Sequence, residues 1–122
     1  MHLLCFLFYY MYFTNKAHGP KIINHPADTS AGAPFSALFT CSASGYGELS
    51  FEWKRSDGLH VLVKSYHTQI SSQQITTSTL VIPNVTDDDS GGYYCIGWIG
   101  MQASKSKTAL LYYSGELQNL LT

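Results

Sequence analysis

An all-β domain, folded as a two-sheet antiparallel β-sandwich, is what the sequence predicts. Three observations carry this: apolar and polar residues alternate with period two over several short segments, turn signals rich in Gly, Asp, Asn and Pro separate those segments at about eight to twelve residues, and no segment has a helical period. Composition agrees. Charged residues make up 12% of the chain, about half the usual fraction, while nine Tyr and ten Gly accompany many Ser and Thr.

At 122 residues the chain has the length of one domain, long enough to bury roughly two-thirds of its unfolded surface around a single core. The net charge is −1, and the seven Lys and Arg are scattered, with no run longer than Lys54-Arg55. That distribution offers no electrostatic footprint for nucleic acid, which is excluded as a partner.

The N-terminus reads differently from the rest. Leu3 to Phe13 is an unbroken apolar run, too short to span a bilayer and of the length of a secretory signal core, and Ala17-His18-Gly19 supplies small residues at cleavage-like spacing. Only His2 precedes the run, and Pro20 would follow the cut. The expected organisation is a signal peptide over 1–19, a domain over 20–114 and a short tail over 115–122. The longest later apolar stretch, Ala109 to Tyr113, is five residues, so no membrane span is expected downstream.

Cysteine usage fits export. Of the three cysteines, Cys5 would leave with the leader, and Cys41 and Cys95 would remain as one even pair. Joined, they would close a loop of 54 residues, worth about 4 kcal/mol on the chain-entropy account. Neither these cysteines nor His2, His18, His25, His60 and His67 have metal-ligand spacing. No metal and no cofactor is expected.

The strands can be read in order. Phe35, Ala37, Phe39, Cys41 and Ala43 alternate with Ser36, Leu38, Thr40 and Ser42, which turns the odd positions inward. Leu49, Phe51 and Trp53 alternate in the same way with Ser50, Glu52 and Lys54, and Ser56-Asp57-Gly58 then gives a hairpin signal before His60 to Val63. From Thr79 to Val85, Leu80 and Ile82 share a face, and Pro83-Asn84 opens a turn rich in Asp and Gly. A last strand runs from Thr108 to Tyr113.

Cys41, then Trp53, then Cys95 has the spacing of the inter-sheet disulfide and its packed tryptophan in the immunoglobulin fold, and the approach to Cys95 reads Leu80-x-Ile82-x-x-Val85-x-x-x-Asp89-x-Gly91-x-Tyr93-x-Cys95. This resembles the E strand, E–F turn and F strand of immunoglobulin-superfamily domains of intermediate or variable-like type, over about residues 20 to 113. The resemblance implies an immunoglobulin-like sandwich, a Cys41–Cys95 disulfide and a tyrosine corner at Tyr93, whose hydroxyl would bond back to the preceding turn. Ser106-x-x-Ala109-x-Leu111-x-Tyr113 resembles the closing G strand.

Departures narrow the subtype. Between Trp53 and Cys95 there is room for a C′ strand but not for a full extra hairpin, and no Gly-x-Gly bulge follows Cys95, which argues against an antigen-receptor chain. Family members often pair the turn aspartate with an Arg at the start of strand D. Here only Lys64 is available, and Arg55 lies earlier.

No nucleophile and base can be proposed together, so the chain is not expected to be an enzyme. Asp87-Asp88-Asp89 reads as an acidic E–F turn rather than a calcium cluster. Asn84-Val85-Thr86 is the one glycosylation sequon, placed at the turn after strand E. With Cys95 and Gly97 inward, alternation puts Ile96 and Trp98 on the outer face of the G-F-C sheet, and with Ile99 and Met101 they form the expected partner-binding set at the F–G loop. The reading is a secreted or cell-surface recognition, adhesion or receptor module. It would bind other immunoglobulin-like domains or a cell-surface ligand, with a weak homodimer as its one self-contact. The alternative is a structural spacer module of a filament or multi-domain protein, with Cys41 and Cys95 reduced.

Overall fold

The computed structural model describes residues 19–61, 66–70 and 74–115. The expected leader up to residue 18, Lys64 and the expected tail from residue 116 lie outside these. Nine strands form among the described residues: β1 (Lys21–Asn24), β2 (Thr29–Ala31), β3 (Ala37–Ser44), β4 (Leu49–Arg55), β5 (Tyr66–Ile70), β6 (Ile75–Ile82), β7 (Gly91–Ile99), β8 (Gln102–Lys105) and β9 (Ala109–Tyr113). They build two sheets, one ordered β1-β3-β6-β5 and the other β2-β9-β7-β4 with β8 also paired to β7. This is an immunoglobulin-like β-sandwich, as the alternation and the cysteine spacing predict.

The first and last strands are each broken. Between β1 and β2 the chain leaves one sheet for the other at a buried proline, Pro26, which has no N–H to place in a ladder. Side-chain acceptors dock this crossing on the closing strand: His25 Nδ1 accepts from the Lys107 N–H at 3.0 Å, and Asp28 Oδ1 accepts from the Leu110 N–H at 2.8 Å. Having crossed, β2 runs parallel to β9, with Thr29 opposite Leu111 and Ala31 opposite Tyr113. Among the described residues it is the one parallel ladder in a set otherwise antiparallel. The closing strand expected up to Tyr113 forms as β9, and a further strand, β8, precedes it; between the two, the buried Ser106 stands in for a ladder partner. Its Oγ accepts from the Cys95 N–H at 2.9 Å and donates to the Lys107 carbonyl at 2.8 Å.

The core lies between the sheets. Phe39, Cys41, Trp53, Leu80, Ile82, Val85, Tyr93, Cys95 and Leu111 are all buried in one cluster. The Cys41–Cys95 disulfide joins β3 to β7 across it, with Cα atoms 6.5 Å apart. Trp53 sits opposite Cys95 in the β4–β7 ladder, and its indole N–H donates to Ser78 Oγ of the facing sheet at 2.9 Å. A buried tryptophan needs such a partner, since an unpaired donor in the core costs about 1–3 kcal/mol. The Phe39 and Tyr93 rings stack at 5.2 Å.

Two details depart from the sequence reading. Phe35, counted among the inward positions, precedes β3 and is 60% exposed; the buried alternation starts at Ala37. The Asp57-Gly58 turn forms, with Gly58 at φ +82 and the Leu59 N–H bonded to Asp57 Oδ1 at 3.0 Å, but the described His60 and Val61 after it are not strand. The next described strand, β5, pairs with β6 in the other sheet, so no C′ strand is present among the described residues.

Arg55 departs most. It does lie too early to mimic a strand-D arginine, yet it reaches the E–F turn along another route. Its side chain, 6% exposed as a residue, donates from Nη1 to the Asp88 carbonyl at 2.9 Å and from Nη2 to the Ser90 carbonyl at 3.0 Å, and Nη2 also pairs with Asp57 Oδ2 at 2.8 Å. The guanidinium lies 5.4 Å from the centroid of the Tyr93 ring. Asp89 instead serves the turn itself, where its Oδ2 accepts from the Thr86 N–H at 2.8 Å and from Thr86 Oγ1 at 3.3 Å and closes the Asp87–Asp89 3-10 turn. The Tyr93 hydroxyl donates to the Asp89 carbonyl at 2.7 Å, which is the tyrosine corner anticipated from the sequence.

Candidate binding surface

On β7, residues alternate across the sheet: Tyr93, Cys95 and Gly97 are buried, while Tyr94, Ile96 and Trp98 are half-buried on the outer face. Their flanks follow from the ladders. Trp98 lies between Ser50 of β4 and Ala103 of β8, Ile96 between Glu52 and Lys105, and Tyr94 beside Lys54. The centre of the face is therefore aromatic and aliphatic, and its margins are charged or small.

The charged margins hold the aromatic residues. Glu52 accepts the Trp98 indole N–H at Oε2 at 3.3 Å, while its other oxygen is 3.6 Å from Lys54 Nζ. Across the strand, Lys105 Nζ stands 4.1 Å from the centroid of the Tyr94 ring, a cation–π contact. Each half-exposed ring thus has a polar or cationic neighbour that restricts its side-chain freedom.

Beyond Tyr94 the face continues onto β9, where Leu110 and Tyr112 point outward and are exposed. Leu110 is opposite Gly92, where a side chain would strike Thr108 at 2.6 Å. Gly92 is itself buried, with the Ser56 and Thr108 side chains filling the space a Cβ would need.

The four expected partner-binding residues are not all brought together. Ile96 and Trp98 share the outer face, but Ile99 points the other way, against Gly45 and Gly47 of the β3–β4 loop. Its Cγ2 would lie 3.2 Å from a Cβ added at Gly47, so it acts as a wedge that fixes that loop against the hairpin. Met101 is 96% exposed at the tip of the β7–β8 hairpin. The tip is a two-residue turn, with Ile99 opposite Gln102 as the last pair and Gly100 at φ +58, the backbone that favours glycine at the first central position. The sequence reading missed Tyr94, Glu52, Lys54 and Lys105. Extending the period of two back from Ile96 finds Tyr94, whereas the charged neighbours depend on strand register. The other expected residues are placed elsewhere: Trp53, Leu80, Asp89, Tyr93 and the two cysteines are buried, half-buried Gly91 starts β7, and exposed Asn84 lies in the β6–β7 turn.

The titratable groups with displaced pKa values lie at the opposite end of β7 from Trp98. Burial opposes the charge on Arg55, but the hydrogen bond to Asp57 and the fields of Tyr93, Asp57 and Asp89 outweigh it and raise the guanidinium further. The same Arg55 hydrogen bond, with the Leu59 N–H, lowers the Asp57 carboxyl. Burial raises the Tyr93 phenol, against the pull of Arg55. All three belong to the brace at the E–F turn, where no substrate-sized arrangement of acid, base and nucleophile converges among the described residues.

Comparison with known proteins points the same way. A family model described as an immunoglobulin domain matches residues 19–98, a family and fold generally without enzymatic activity. The chain is 32% identical over 92 residues to protein sax-3 of Caenorhabditis elegans, covering 75% of this chain and 7% of that protein. It is 34% identical over 74 residues to the human netrin receptor DCC, covering 61% of this chain and 5% of that protein. It thus spans only a small part of the length of the curated relatives it matches. Among solved structures, a chimeric titin Z1Z2 matches with a TM-score of 0.60 at 21% identity, over 80% of this chain and 95% of that one. The N-terminal Ig1-2 module of the Drosophila receptor protein tyrosine phosphatase DLAR matches with a TM-score of 0.59 at 24% identity, over 80% of this chain and 50% of that one. These likenesses are of fold.

Proposed function

This chain belongs to the immunoglobulin-domain family, and on that premise we propose that it is an extracellular recognition or adhesion module that binds a protein partner through the outer face of the β4–β7–β8 sheet. The observation that carries the reading is the row Tyr94, Ile96 and Trp98 along β7, half-buried and held in place by Glu52 and Lys105 at its margins. An apolar centre with a polar rim is the composition of a protein-binding patch, and Trp and Tyr are the residues most enriched in binding hot spots. Met101 at the hairpin tip extends the patch beyond the sheet.

Three features support an extracellular setting: the apolar run ending before Gly19, the Cys41–Cys95 disulfide, and a sequence relative that is named as a receptor. In the spacer alternative the same fold works with free thiols at Cys41 and Cys95 and no cleaved leader. Mass spectrometry of the chain expressed in animal cells separates the two, through its N-terminus and its thiol count.

The face itself is tested by screening the oligomerised domain against displayed cell-surface proteins and comparing the parent with Trp98→Ala. The variant should keep the parent's fold by circular dichroism, because Trp98 is not a core residue, and should lose at least tenfold in affinity. A partner bound equally by both would overturn the assignment of this face.

A further inference from the structure

We propose that Asn84 carries an N-linked glycan, and that it is attached before the domain folds. Asn84 is exposed in the turn between β6 and β7, with φ +49. Asparagine tolerates that left-handed backbone better than other side-chain-bearing residues. The two residues after it in the sequon are in a different situation. Val85 is fully buried, its N–H donates to the Phe35 carbonyl at 3.1 Å, and its own carbonyl accepts from the Ala33 N–H at 2.9 Å. Thr86 gives both its N–H and its hydroxyl to Asp89.

The folded turn therefore presents the acceptor amide to solvent but buries Val85 between its two backbone bonds, and Thr86, though exposed, has its N–H and hydroxyl turned to Asp89. An enzyme that must draw the whole tripeptide into an extended conformation can do so only before Val85 is buried and its backbone bonds to Ala33 and Phe35 have formed. In the transfer, Asn84 Nδ2 forms a bond to C1 of a lipid-linked oligosaccharide pyrophosphate, the C1–oxygen bond breaks, and one amide proton leaves with the pyrophosphate. Folding then buries Val85 and leaves the sugar outside. β7 spans nine residues, so the glycan stands at the far end of that strand from the Gly100–Met101 hairpin, roughly 25 Å along it.

The inference rests on the extracellular setting proposed above, and the experiment keeps the two apart. The full chain is expressed in animal cells, its disulfide is measured, and its mass is compared before and after peptide N-glycosidase. The expected result is a single glycan whose removal leaves aspartate at position 84. Asn84→Asp, which keeps a residue tolerant of the left-handed turn, should abolish it, and Thr86→Ser should retain it. A secreted, disulfide-bonded chain with unmodified Asn84 overturns the glycan alone, whereas a retained chain with free thiols overturns the setting as well. The timing is read in vitro with a microsomal extract and lipid-linked donor: unglycosylated chain, reduced and unfolded, should be modified, and the same chain oxidised and folded should not. Equal modification of both would overturn attachment before folding.

Discussion

Arg55 Nη1 donates to the Asp88 carbonyl at 2.9 Å and so ties the end of β4 to a turn 33 residues later in the chain. With its bonds to the Ser90 carbonyl and Asp57, one planar cation satisfies three acceptors at the base of the tyrosine corner. A guanidinium suits this because its donors diverge in one plane.

Arg55→Lys should therefore destabilise the fold although the charge is kept, because a single ammonium on a shorter fork cannot reach both carbonyls and the carboxylate. Arg55→Leu should cost more, about 2–4 kcal/mol, since it leaves buried acceptors unpaired. Urea midpoints of the two variants against the parent check the order.

The same brace sets the pH range of stability. Because Asp57 is lowered on folding, its contribution is present above the ordinary carboxylate pKa of 3.8 and fades as pH falls through its folded value. Tyr93 is raised, so its contribution is complete below the ordinary phenol value of 10.0 and is lost as pH climbs through its folded value. Denaturation measured from acid to alkaline pH should show both limbs. Asp57→Asn should flatten the acid one and Tyr93→Phe the alkaline one.

The hairpin tip offers a third test. Gly100 at φ +58 has open space around its Cα, so the cost of a side chain there is backbone strain alone. Gly100→Val should cost about 1–2 kcal/mol, and Gly100→Asn less, because asparagine visits left-handed backbone readily. Thermal unfolding of the two variants gives the difference.

What the sequence made legible was whatever local pattern controls. The alternation ending at Trp53 and at Cys95 fixed which side chains enter the core, and the residues leading into Cys95 placed the tyrosine corner. What it hid depends on neighbours distant in the chain. Arg55 looked misplaced because its partners are backbone carbonyls, which no residue code reveals. Ser106 looked like the start of a strand because its hydroxyl's substitution for a ladder partner at Cys95 is a matter of register. Of the proposed binding face, Trp98 and Ile96 were legible by period, whereas Lys105 over Tyr94 and Glu52 under Trp98 appear only once β4, β7 and β8 are laid side by side. Ile99 was misgrouped because sequence proximity to Trp98 outweighed the alternation that turns it toward Gly45 and Gly47.

The crossing of the entry strand at Pro26 has a consequence for how the domain comes apart. Residues from Lys21 to Ala31 hold a place in both sheets, through β1 on β3 and β2 on β9. That segment acts as a noncovalent clasp at one margin, complementing the disulfide in the middle. Neither sheet can be released there without disturbing the other, so the two layers should melt as a single cooperative unit rather than in sequence.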